Sequence, residues 1–222
     1  RALAAAGATI ANHTLAHEHM VRRRDGESAQ AWQERLAREV IDAQARLEAE
    51  LKDPQRLFAY PFGEFDAEVA RLMQSLGFIA FGQQSGPIGS TTNLYAIPRF
   101  PLGKGFDSVP SLAEKLRTEH LPLIEPEAPA SVLAKNDGPP VLELRIDDSA
   151  GVRPGSLNCF VAGQPNATVT WGETVVVQAG KPLGPGRSKY TCTAPHPVRP
   201  RAYYWHTHLY IKPRTDGSWY SG

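Results

Sequence analysis

Two histidines four residues apart, His13 and His17 in Gly7-Ala-Thr-Ile-Ala-Asn-His-Thr-Leu-Ala-His17, are the side chains of this sequence best suited to grip a metal ion. On a helical turn positions i and i+4 share a face, so both imidazoles can reach one cation. The same spacing also suits two unrelated surface histidines. What favours chemistry is the address, because the preceding apolar run Ala8–Ala11 reads as a strand that ends at the pair. A second stretch, Leu57-Phe-Ala-Tyr-Pro-Phe-Gly63, carries a strand into a Pro-aromatic-Gly turn. The backbone N–H groups of such a rigid turn can face a cavity and meet a developing oxyanion, or the turn can be a plain strand-to-helix connection. A metal pair and an N–H-lined turn on neighbouring strand ends suit metal-assisted hydrolysis of an acyl group.

The elements around these stretches read as alternating strand and helix. A long helix is expected from Ser28 as N-cap, with Trp32, Leu36, Val40, Leu47 and Leu51 at helical spacing on the face toward a sheet. Asp66 should cap a second helix carrying Val69, Leu72, Met73 and Leu76, stopped by Gly77, before the strand Phe78–Phe81. This order predicts parallel strands with crossover helices and a site at the strand C-termini.

The chain has 222 residues, 41% hydrophobic and 21% charged, with a net charge of +1. That balance is globular and argues against a nucleic-acid partner, which would need a basic stripe. No run approaches a membrane-spanning length. The sequence opens on Arg1 without an initiator Met, within an apparent helix, and reads as part of a longer protein. Its character changes downstream. Residues 1–122 form the first expected domain, 123–139 a linker, with five prolines in the stretch from His120 through Pro140, and 140–222 an all-β domain of six or seven short strands. Cys159 and Cys192 are the only cysteines, Trp171 lies between them, and Tyr190 stands two residues before the second. That pattern resembles an Ig-like sandwich. A disulfide is expected, and with it a periplasmic or secreted setting, against the alternative of two buried thiols.

The segment around His13-Thr14-Leu-Ala-His17 resembles the His-(Ser/Thr)-x-x-His signature of NodB-type polysaccharide deacetylases (carbohydrate esterase family 4), and Phe58-Ala-Tyr-Pro-Phe-Gly63 resembles their aromatic-Pro turn. The Phe-Ala-Tyr-Pro form is most like the branch acting on poly-β-1,6-N-acetylglucosamine. The resemblance covers roughly residues 1–120. It implies a deformed (β/α) barrel, incomplete at its N-terminus here, that hydrolyses the acetamide of an N-acetylated polysaccharide with a divalent metal, most often Zn2+. His13 and His17 would be metal ligands and Thr14 would support their loop. Tyr60, Pro61 and Phe62 would face substrate, with the Phe62 backbone N–H in the oxyanion hole. The family's Thr-Phe-Asp-Asp signature, which supplies a third ligand and the base, is absent, so that pair is expected upstream of Arg1 and the fragment alone is expected to be inactive. Ala59 stands where the family has an arginine, and Arg99 is a candidate either to supply a guanidinium from another strand or to form a surface salt bridge.

Other candidates read as structural. Asp147-Asp148 is expected to be a strand-ending turn pair, His120 to lie outside the chemistry, and His19 to point away from its neighbours. His206 and His208 alternate with Tyr204 and Tyr210 on one strand face, expected to be exposed, while Tyr203, Trp205, Leu209 and Ile211 are expected in the core. The exposed face would dock or form an edge, or else stack on sugar. Two rival functions remain, an O-acetyl glycan esterase and a non-catalytic glycan-binding module.

Overall fold

A computed structural model describes residues 1–103, 107–125 and 130–221. The chain folds as two units, one of Arg1–Gly82 with Leu94–Ile97, the other of Gln83–Asn93 with Pro98–Gly222. No helix among the described residues is long and apolar enough to cross a membrane.

In the first unit, α1 (Ala2–Ala5) ends at Gly7, whose φ of +91° breaks the helix. The expected strand after it contributes one parallel bridge, Asn12 to Phe58, in which Asn12 donates to Leu57 O and accepts from the Ala59 N–H. Ser28 caps α2 (Ala29–Glu50) by accepting the Ala31 N–H at 3.1 Å, and the buried face of the helix is Trp32, Leu36, Val40, Ala43 and Gln44. β1 (Leu57–Ala59) is followed by α3 (Ala67–Ser75), capped by the Asp66 carboxylate on the Val69 N–H at 2.8 Å. Burial pushes the Asp66 carboxyl up in spite of that bond. Gly77, at φ +75°, turns the chain into β2 (Ile79–Phe81), which pairs in parallel with β1. Phe81 in turn bridges Ile97 in parallel. Strand, crossover helix and parallel strand thus place Asn12 and Ala59 side by side at their C-terminal ends.

The second unit opens with α4 (Val109–Lys115) and β3 (Thr118–His120). It continues through β4 (Ser131–Val132), β5 (Val141–Leu144), β6 (Asn158–Val161), β7 (Thr168–Thr170), β8 (Val175–Gln178), β9 (Gly186–Pro195) and β10 (Tyr203–Lys212). One sheet runs β3-β10-β9-β6 with β4 also on β10, and the other runs β5-β8-β7. Leu142, Leu144, Val175 and Val177 of the second share one core with Cys159, Val161, Tyr190, Cys192 and Ala194 of the first. Of the expected linker, residues 126–129 lie outside the described residues. On either side the chain packs into this unit: Leu123 bridges Ile146, and Ser131–Val132 pairs with Tyr210–Ile211. Residues 98–122, read from sequence with the first domain, also belong to this unit.

One expectation for the β region needs correction. The β10 face carrying His206 and His208 is not exposed: with Tyr204 and Tyr210 these residues are buried at 4–6% exposure, and both tyrosines lie in the core. The opposite face bears Tyr203, 40% exposed, and Trp205, whose indole N–H donates to Ser85 O at 3.1 Å. The Tyr rings bury because their hydroxyls find carbonyls, Tyr190 donating to Pro140 O at 2.9 Å and Tyr210 to Val141 O at 3.3 Å. Cys159 and Cys192 form the expected disulfide, and it joins registered neighbours on β6 and β9 of one sheet, whereas an Ig-type bridge joins facing sheets. The bond closes a sequence separation of 33 residues. Replacing both cysteines with alanine is expected to cost about 3–4 kcal/mol through the freed unfolded chain. Thiol titration of the unfolded, unreduced protein should find no free thiol, and two free thiols would overturn the assignment.

Candidate functional site

The segment between Asn12 and α2 is an irregular loop, so the expectation that His13 and His17 share a helical turn is wrong. Thr14 and His17 have φ of +63° and +56°. Among the described residues four non-glycine positions have positive φ, and three of them, Thr14, His17 and Phe62, meet here. Such conformations cost about 1–3 kcal/mol each and persist only where the surroundings enforce them.

The enforcement is visible donor by donor. The Thr14 N–H donates to Asn12 Oδ1 at 3.0 Å, and the Leu15 and Ala16 N–H groups donate to Glu39 Oε2 at 3.2 and 2.9 Å. The His17 N–H donates to Thr14 Oγ1 at 3.0 Å. Four successive amides thus end on side-chain oxygens, one of them from α2. Asn12 is itself 1% exposed, and its Nδ2 donates to Val40 O at 2.9 Å and to Gln44 Oε1 at 3.4 Å. Farther along, Trp32 donates to Met20 O at 3.0 Å, and Arg35 holds Glu18 and Glu27, each at 2.7 Å. The Arg35 hydrogen bond draws the Glu27 carboxyl down to about 2.

The two imidazoles meet at the end of this loop, with ring centroids 4.7 Å apart. His13 Nδ1 lies 2.6 Å from Ala59 O at the end of β1. A carbonyl can only accept, so Nδ1 carries the proton and Nε2 keeps its lone pair for a ligand. Both histidines are exposed.

The Pro61–Gly63 turn supplies the facing wall. Phe62 has φ +57°, and its ring lies edge-on to His17 at 4.5 Å. It also stacks on His19, at 3.8 Å and 6° between planes. His19 Nδ1 donates to Glu64 Oε2 at 2.7 Å, and Arg22 Nη2 stands 3.6 Å from Glu64 Oε1. Glu64 is fully buried. Neither Glu64 nor the pairing of His19 was expected, because the partners are 45 residues apart and only the strand order joins them. Tyr60 is 1% exposed, stacks on Phe65 at 4.6 Å and donates to Tyr95 O at 2.8 Å. Burial drives its phenol far above the usual range. Tyr60 and Pro61 are buried under the turn and Phe62 is its half-buried tip.

The remaining candidates lie in the second unit. Arg99 is exposed and its N–H donates to Gln84 O at 3.0 Å. His120 is 8% exposed on β3, where a Cβ at Gly89 would come within 2.5 Å of its side chain. Asp147 accepts the Ser149 N–H at 2.8 Å, as a turn residue does.

A catalytic zinc takes three protein ligands and an open position. The donor set here fits two of the three, through two exposed imidazoles of which one has its tautomer set by a carbonyl. Among the described residues no group of three His, Cys, Asp or Glu side chains could hold a metal ion. No curated protein matches the chain. Residues 1–81, which hold the whole histidine loop and the Phe62 turn, match the family model for polysaccharide deacetylase.

Proposed function

We propose that the chain carries part of a metal-dependent deacetylase that hydrolyses the acetamide groups of an N-acetylglucosamine-containing polysaccharide. The family match over residues 1–81 supports a hydrolase acting on acetylated polysaccharide. The observation that carries the metal reading is the strained loop, held by side-chain hydrogen bonds, that brings His13 and His17 to 4.7 Å with His13 Nε2 left as the ligand atom.

In this reading the first unit is the later portion of a NodB-type barrel and the second an Ig-like sandwich. His13 and His17 supply two of three protein ligands, and the family's third ligand and base, an Asp-Asp pair, are assigned to none of the described residues. His13 and His17 would hold a divalent metal, most often Zn2+, which when bound would supply polarisation of the acetyl carbonyl and an acidified water. Ala59 O holds the His13 tautomer, Asn12 and Thr14 hold the loop, and the half-buried Phe62 ring walls the site toward the acetyl group. The Phe62 N–H would donate to the oxyanion. Arg99 is the candidate guanidinium in place of the arginine that Ala59 replaces. The Cys159–Cys192 disulfide supports a periplasmic or secreted protein.

The absence of a third ligand among the described residues favours a second reading, a glycan-binding module without chemistry. Acetate release by the full-length, zinc-loaded protein separates the possibilities. Release from N-acetylglucosamine oligomers is the expected result. Release from O-acetylated xylan alone would make the protein an esterase, and retention of glycan with no acetate would make it a binding module.

A further inference from the structure

Glu64 is a carboxylate with no exposed surface, and burying one is costly unless it is fully engaged. Both its oxygens point to cationic or donor groups of the histidine loop: Oε2 to His19 Nδ1 at 2.7 Å and Oε1 toward Arg22 Nη2 at 3.6 Å. His19 stacks its flat face on Phe62, nearly parallel at 3.8 Å, and Phe62 meets His17 in an edge-to-face contact at 4.5 Å. His17 then meets His13, which is anchored to Ala59 O. The series starts and ends on one stretch of chain, since Ala59, Phe62 and Glu64 are the end of β1 and the turn after it. Two residues with left-handed backbone, His17 and Phe62, sit at its centre.

We propose that Glu64 and His19 are positioning residues for the metal ligands: by holding the His19 ring, Glu64 fixes the Phe62 ring that fixes the His17 imidazole. The ligand pair is thereby clamped between a backbone carbonyl on the His13 side and an aromatic plate on the His17 side. This inference rests on the reading of His13 and His17 as metal ligands. It assigns to Glu64 a part that neither the histidine spacing nor the turn motif requires, and to His19 a part other than ligation. Groups behind a metal ligand that set its orientation change metal affinity by about 10- to 100-fold when removed.

The test uses Zn2+ alone, titrated into the full-length protein and followed by long-range imidazole ¹H–¹⁵N spectra, with variants Glu64→Gln, Phe62→Ala and His17→Ala. Joint shifts of the His13 and His17 Nε2 resonances are expected in the unsubstituted protein, with half-saturation moved roughly tenfold higher by Glu64→Gln and by Phe62→Ala. Phe62 is half-buried, so its variant remains folded if the core carboxylate variant does not. Unchanged half-saturation in Phe62→Ala and in folded Glu64→Gln, with weakened binding in His17→Ala, overturns the positioning role and leaves the ligand assignment intact. No response of His13 and His17 to Zn2+ in the unsubstituted protein overturns the ligand assignment itself.

Discussion

Alanine at His13 or at His17 is expected to remove stoichiometric zinc and acetate release together in the full-length enzyme. Loss of a ligand should lower kcat/KM by on the order of 10³-fold or more, since a catalytic metal contributes several kcal/mol of charge stabilisation to a transition state. The fold should tolerate both changes. The two side chains are exposed, and substitutions at such positions usually shift stability by less than about 0.5 kcal/mol. His17 offers a sharper form of the test because its φ is +56°. Glycine occupies that region freely, so His17→Gly is expected to hold or raise the melting temperature while zinc is lost. Zinc content by elemental analysis, set beside thermal melts, reads both effects. Retained zinc and activity in both alanine variants would sink the metal assignment. A melting temperature that falls with zinc in His17→Gly would mark His17 as a structural residue.

That opposition of stability and function explains which features were legible from residue types alone. Caps and periodic faces are local, so the start of α2 at Ser28, the Asp66 cap, the stop at Gly77 and the parallel pairing of β1 with β2 could all be anticipated. The histidine pair could be singled out by spacing, yet its conformation could not. An i, i+4 interval looks the same whether the chain turns as a helix or doubles back through left-handed residues. The decision comes from Asn12, Glu39 and Thr14, whose oxygens collect four loop amides. Glu39 carries no local signal of this, because it sits on α2 among other charged residues. Glu64 and His19 were hidden for the same reason of sequence distance. The β10 face was misjudged because alternation assigns two faces without saying which is inside. Tyrosine and histidine count as polar in such a pattern although each can bury an apolar body once its polar tip is satisfied. The extra parallel strands β3 and β4 on β10 are three and two residues long, too short for periodicity to register.

Asn12 joins fold and site most directly, and Asn12→Ala is the second change expected to have a large effect. The residue's backbone is half of the parallel bridge to Phe58. Its side-chain oxygen takes the first loop amide and its nitrogen ties the strand end to α2 at Val40 and Gln44. Truncation strands buried partners on both sides, each worth about 1–3 kcal/mol when left unsatisfied. A total loss of about 2–3 kcal/mol is expected, because some of these groups relax toward water or other partners. Thr14 would then lose the contact that offsets its left-handed backbone, and the histidine loop would sample other conformations. Zinc half-saturation should rise about tenfold even at temperatures where the variant is fully folded, as for other losses of support behind a ligand. Denaturant melts combined with zinc competition measure the two quantities separately. If folded Asn12→Ala binds zinc as the unsubstituted protein does, the loop is set by Glu39 and Thr14 without Asn12, and the buried amide serves the strand–helix contact alone.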